Sequence, residues 1–228
     1  SILRVDHKEL QHSNLLAWLF DPKGTHNLGD HFIKEFLKLY YKEFGYKDLS
    51  SSKTRLSVFD FVELDLSDLE IKREYQSIDL LLLSRQSKLC VVIENKVRAQ
   101  VSDGQLRRYR ELIEREYSTY DHRVYMLLAL DGQSIPDEEL EHYLSISYVS
   151  IRKIIEKVLQ SQTLAVGRNT RFVLEQYLQT LRSLMNENQE IEKLAAQLYE
   201  KYRPAFDLVY KYAPVYQTGR VPHHLQDL

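Results

Sequence analysis

Asp79, Glu94 and Lys96 are the residues of this chain whose types and spacing suit chemistry. They lie at one end of the stretch 78–96, IDLLLLSRQSKLCVVIENK, in which apolar runs over 80–83 and 89–93 flank a polar break over 84–88. Such runs, with Val and Ile in the second, read as buried strands, and the break as a hairpin loop. Gln86-Ser87 lacks the Gly or Asn of a two-residue primed turn, which favours a loop over 85–88. Either loop centres the hairpin between Gln86 and Ser87 and sets Asp79 opposite Glu94. Opposed residues share a face of the sheet with Cβ atoms roughly 4.5–5.5 Å apart. Lys96, two positions beyond Glu94, falls on that same face.

Like charges directly opposite destabilise a sheet. The pair therefore needs a divalent cation, a shared proton or an arginine, and oxygen ligands of this kind suit Mg²⁺ (or Mn²⁺). A cation here acidifies bound water and braces a phosphate in the transition state. Lys96 would orient or deprotonate the attacking water, or neutralise developing charge. The bland alternative is a cross-strand salt bridge, Lys96 compensating Asp79 and Glu94, and spacing alone does not choose between the two.

An acid at 79, Glu94-Asn95-Lys96, and a following QLRRY over 105–109 together resemble the PD-(D/E)xK nuclease superfamily, in its RecB-like branch with a Q-x-x-x-Y helix motif. Ile78 stands where the motif name has Pro. The resemblance implies a divalent-metal phosphodiesterase with a restriction-endonuclease-like core. Asp79 and Glu94 would be metal ligands, the Asn95 backbone carbonyl another, and Lys96 the catalytic base or stabiliser. ELQHSN at 9–14, WLFDP at 18–22, HNLG at 26–29, Arg73-Glu74 and Asp131-Gly132 are similar to one mostly prokaryotic group within the superfamily, so the likeness spans roughly residues 9–185. An acid on the first helix often joins the site in this superfamily, and Glu9 is the candidate here.

The elements that must position these residues follow from the rest of the chain. Residues 9–20 read as a helix with Leu10, Leu15, Leu16, Leu19 and Phe20 on its apolar face, ended by Asp21-Pro22. Glu9 either points along the core edge toward the site or is a first-turn glutamate favoured by the helix dipole. Asp30 is the expected cap of a second helix reaching about residue 44. His7, His12, His26 and His31 show no zinc-ligand spacing. Residues 55–65 and 69–76 are expected strands, and Glu74 is either a further site carboxylate or a partner of Arg73 or Lys72. Ser102 or Asp103 is expected to cap a helix running to about residue 117. Gln105 and Tyr109 lie one turn apart on it, placing an amide and a phenol near the ion. Lys96, Arg98, Arg107, Arg108 and Arg110 form a basic rim suited to phosphate, or an ordinary solvated face paired with Glu111, Glu114 and Glu116.

Residues 123–130 read as a further buried strand and 145–149 as a short edge strand. Helices are expected over 150–160, 168–186 and 191–212, the last interrupted by Pro204. The expectation is an α/β domain, a mixed central sheet flanked by helices, over residues 1–185, with a helical extension over 186–228 packed on it. Tyr199, Tyr202, Tyr210, Tyr212 and Tyr216 suit packing of that extension, a homodimer contact or a lid over the site.

The 228 residues carry a net charge of −2, which does not advertise nucleic-acid binding. No apolar run approaches a membrane span. One cysteine, Cys90, has no disulfide partner, which points to a cytoplasmic protein. The leading expectation is a Mg²⁺- or Mn²⁺-dependent nuclease acting on DNA. The rival is a non-catalytic module of the same fold that binds nucleic acid or a protein partner.

Overall fold

The computed structural model describes residues 3–44, 63–97, 100–130 and 135–217. The central hairpin forms where the apolar runs place it, as β2 (Ile78–Ser84) and β3 (Leu89–Lys96). Leu80 pairs with Ile93 and Leu83 with Cys90 in the antiparallel register the loop length dictates. The loop has no glycine, so Lys88 takes the left-handed conformation instead (φ 45°). Asp68 braces the loop, accepting from Ser84 Oγ (2.5 Å) and Gln86 N–H (2.9 Å).

β1 (Glu70–Tyr75) pairs antiparallel with β2 through a tight turn at Gln76-Ser77. Both turn residues have positive φ, 51° and 70°, as a type I′ hairpin requires. Beyond the hairpin, α3 (Gln105–Glu116) leads to β4 (His122–Ala129), which is parallel to β3. A 3-10 turn (Asp137–Glu139) then leads to β5 (Tyr143–Ser147), parallel to β4. The result is a mixed five-stranded sheet in the order β1-β2-β3-β4-β5.

The period of two sorts the strands onto two buried faces. Leu81, Leu83, Cys90, Val92, Tyr125 and Leu127 pack with Leu106, Tyr109 and Ile113 of α3. Leu80, Leu82, Val91, Ile93, Met126 and Leu128 are buried with the opposite parity. On that side lies α1 (Leu3–Phe20), against β1, β2 and β3, joined by α2 (His31–Phe44) and α4 (Tyr148–Gln160). α5 (Arg168–Gln217) completes the described chain.

Several boundaries differ from the sequence reading. α1 begins at Leu3, and its buried stripe is His12, Ser13, Leu16, Leu19 and Phe20. Leu10 lies off that stripe by helical spacing and is 42% exposed. β5 and α4 start two residues earlier than expected, because Tyr148 opens the helix rather than closing the strand. Neither Ser102 nor Asp103 caps α3 with its side chain. Gly104 takes the cap position at φ 64°, and Gln105 reaches back to accept from Ser102 N–H (3.1 Å). α5 runs on through 187–190, where a gap was expected, and breaks with non-helical backbone at Tyr202, the interruption expected from Pro204. Proline lacks the N–H that would bond the preceding turn, and its ring clashes with that turn's carbonyl. The connector over 45–53, most of the strand expected over 55–65, Arg98 and Asp131-Gly132 lie outside the described residues.

The chain divides into two compact units, residues 1–179 and 180–228. The first contains the whole sheet with α1 to α4, and the second is helical through Gln217. Among the described residues no helix is long and apolar enough to cross a membrane.

Candidate active site

The register of β2 and β3, continued one pair past Leu80–Ile93, sets Asp79 opposite Glu94. Both share the parity of Leu81 and Val92 and so face α3, as does Lys96. At this end of the sheet the apolar ladder gives way to charge. Lys96 Nζ lies 2.7 Å from Glu94 Oε1, so half of the salt bridge anticipated as the bland alternative forms, within β3 rather than across the two strands. It uses only one oxygen of a carboxylate that is 1% exposed, and Glu94 Oε2 is buried with no hydrogen-bond partner among the described residues. An unsatisfied buried carboxylate oxygen is costly, and functional sites are where such atoms are tolerated.

The helix α3 orients that carboxylate. Gln105 Nε2 donates to Glu94 Oε1 (2.7 Å) and to the Tyr109 hydroxyl (2.9 Å). Tyr109 in turn donates to the carbonyl of Ser77 (2.6 Å). Ser77 is the left-handed turn residue two positions before Asp79. Gln105 and Tyr109 therefore fix the rotamer of one acid and the approach of the strand carrying the other.

Asp79 Oδ2 accepts from the Asn95 backbone N–H (2.6 Å). Burial pushes its carboxyl up to about 6, with the charges of Glu74 and Glu9 adding and the Asn95 N–H and Lys96 opposing. Burial, then the charge of Asp79, pushes Glu94 up to about 8 against the pull of Lys96 and Gln105. Burial alone would lower the Lys96 ammonium, but Glu94 and then Asp79 outweigh it and raise its pKa. Two acids held above their ordinary range beside a protonated lysine form a site short of positive charge.

The two candidate extra acids reach the neighbourhood differently. Glu74, exposed and at positive φ (55°), sits between the Arg73–Leu80 and Tyr75–Ile78 pairs, beside Asp79. Glu9 comes from α1 around the end of β3, where its Oε1 accepts from Val97 N–H (2.9 Å). Among the described residues, no three His, Cys, Asp or Glu side chains are grouped so that they could hold a metal ion. Asp79 and Glu94, with the partnerless Oε2 between burial and charge, are the oxygen donors that fit a divalent cation.

The basic rim is mostly spent on internal pairing. Arg110 makes a two-pronged pair with buried Glu139 (Nε–Oε2 2.8 Å, NH2–Oε1 3.0 Å), and Arg107 meets Glu138 (3.1 Å). Arg108 donates to the Asp103 carbonyl and is exposed. His26 is buried and pins its loop through Leu28 N–H and the Asp21 carbonyl (2.9 Å each), and His12 bonds the Tyr177 hydroxyl (2.8 Å).

Sequence reasoning missed the side chain of Asn95, together with Ser13 and Tyr148. Alternation along β3 was the available signal for Asn95: it points away from Glu94 and Lys96, toward α1. Tyr148 gave none, since it read as strand.

Fold and site together define a class, the restriction-endonuclease-like α/β domains, with an acid facing an acid-x-lysine on the central hairpin. A family model described as the PD-(D/E)XK nuclease superfamily matches residues 1–179. The chain belongs to that superfamily, whose members are usually nucleases and generally use divalent metals. No curated protein and no solved structure matches it.

Proposed function

We propose that this chain is a divalent-metal-dependent nuclease that hydrolyses phosphodiester bonds in DNA. The observation that carries the reading is the Glu94 carboxylate, buried and oriented through one oxygen while the other lacks any partner. Asp79 and Glu94 hold Mg²⁺ or Mn²⁺, the Asn95 carbonyl is a further ligand, and Glu9 and Glu74 are the additional acids. Such an ion, when bound, acidifies water and stabilises charge on the phosphate. Lys96 keeps its proton beside Glu94 and positions the attacking water or neutralises charge developing on the phosphodiester. Gln105 and Tyr109, in the arrangement of the Q-x-x-x-Y motif, hold Glu94 and the turn before Asp79 in place.

The test is cleavage of plasmid and oligonucleotide DNA by the purified protein. Cleavage is expected only with Mg²⁺ or Mn²⁺ and is lost in Lys96→Ala. Cleavage that survives both EDTA and this substitution removes the mechanism.

The second reading is a non-catalytic module that binds nucleic acid or a protein partner, and the internal pairing of the rim arginines Arg107 and Arg110 favours its protein-binding form. Mn²⁺ calorimetry separates the two, because a scaffold without ion affinity cannot run the chemistry. A nuclease domain over residues 1–185 with a C-terminal extension, a cytoplasmic location and a homodimer through the tyrosine-rich helix belong to the same proposal. The free, buried Cys90 supports the location, and exposed Ile191, Leu194, Leu198 and Tyr202 support the dimer.

A further inference from the structure

The side chain of Asn95, on the far side of the strand from the two facing acids, has a use that the chemistry of Glu94 and Lys96 does not explain. It is completely buried, as is Tyr148, and Ser13 is 1% exposed. Its amide is fully used. Nδ2 donates to Ser13 Oγ (2.9 Å) and to the Glu9 carbonyl (3.3 Å), while Oδ1 accepts from the Tyr148 hydroxyl (2.6 Å). Tyr148 is itself packed edge-on against His12 (ring centroids 5.2 Å apart), whose ring bonds Tyr177.

Two groups of the candidate site hang on this one residue. The Asn95 backbone N–H holds Asp79, and its side chain holds the turn of α1 that carries Glu9. A buried amide with both donors and its acceptor satisfied tolerates little displacement, because any shift leaves a polar group unpaired. We infer that Asn95 and Tyr148 are positioning residues: their buried bridge fixes the first helix so that the Glu9 carboxylate stands at the metal side of β3. This inference rests on the nuclease reading of Asp79 and Glu94. The central residue of Glu94-Asn95-Lys96 thus works on both faces of the sheet, and α4 takes part in the site through one hydroxyl.

The experiment is a double-mutant cycle on Mn²⁺ affinity, read by calorimetry, with thermal melting in EDTA as the measure of folding. Tyr148→Phe removes only the hydroxyl that reaches Asn95. Loss of a supporting contact of this kind weakens metal binding about tenfold or more. Tyr148→Phe and Glu9→Gln are each expected to weaken Mn²⁺ by about that factor, and the double variant no further, since both act through Glu9. Ser13→Ala, which cuts the bridge on its other side, gives the same readout should Tyr148→Phe not fold. A bridge that merely stabilises the fold would lower the melting temperature while leaving Mn²⁺ affinity at the wild-type value, and that result overturns the inference. Full additivity of Tyr148→Phe with Glu9→Gln overturns it as well. Glu94→Gln separates the two levels. If it abolishes binding while Tyr148→Phe does not weaken it, the bridge alone fails, and if it leaves binding intact, the metal reading fails with it.

Discussion

Glu94 is an acid placed where an acid is expensive. Its neighbours Lys96 and Gln105 both address Oε1, so among the described residues no hydrogen bond offsets the burial of Oε2. In the metal-free protein its carboxyl is raised to about 8, so the folded state holds the proton more tightly than the unfolded chain, whose carboxylates titrate near 4. The sign follows. Stability from this group is fully present below about pH 4 and is lost as pH climbs toward 8. Glu94→Gln removes the titration, so its melting temperature relative to wild type, measured in EDTA, should rise steadily from pH 5 to pH 8. A difference that stays flat across that range would remove the electrostatic argument. At pH 8, Mn²⁺ should stabilise wild type strongly and Glu94→Gln hardly at all, because only a protein that binds the ion gains from mass action.

Among the elements, α3 is clamped near its middle by two adjacent residues. Tyr109 ties it to the tight turn before Asp79, and Arg110 ties it to buried Glu139 in the 3-10 turn. Tyr109→Phe should cost about 1 kcal/mol in urea unfolding, the net worth of one hydrogen bond. Its effect on cleavage should be larger, because Ser77 and Gln105 lose their brace together. Arg110→Ala leaves buried Glu139 with only the more distant Arg107 (4.0 Å) and should cost about 3 kcal/mol. Equal stability of the two variants would mean that Arg110–Glu139 is not the structural pair described. The hairpin itself was legible in the sequence because its information is local: loop length fixes register, and register sets Asp79 across from Glu94. Helical spacing set Gln105 and Tyr109 on one face of α3, and the resemblance to a Q-x-x-x-Y motif singled them out. The Glu139 partner of Arg110 was not, since nothing within a few residues of either marks the pair; the arginine read as a phosphate contact or as an i,i+4 partner of Glu114, and the second also forms.

For the molecule as a whole, alternation and helical period were enough to identify an α/β domain with a mixed sheet. They did not reveal contacts between residues far apart in the chain. Tyr148 to Asn95, or Asn95 to Ser13, spans many residues and leaves no periodic trace. A boundary marked by a breaker was legible, as the kink beside Pro204 shows, whereas the gap expected near 187–190, with no breaker to mark it, does not occur. In the second unit, exposed Ile191, Leu194, Leu198 and Tyr202 recur at helical spacing and underlie the proposed homodimer. Light scattering should show a dimer that becomes a monomer in the Leu194→Glu, Leu198→Glu double variant, and a wild-type monomer would end that part of the reading. In the proposed nuclease a divalent cation sits between Asp79 and Glu94. Anomalous diffraction from crystals grown with Mn²⁺ tests it most directly. A manganese peak bonded to both carboxylates, through Glu94 Oε2, is the expected result. Crystals saturated with Mn²⁺ that keep the Lys96–Glu94 pair and show no manganese there would contradict it.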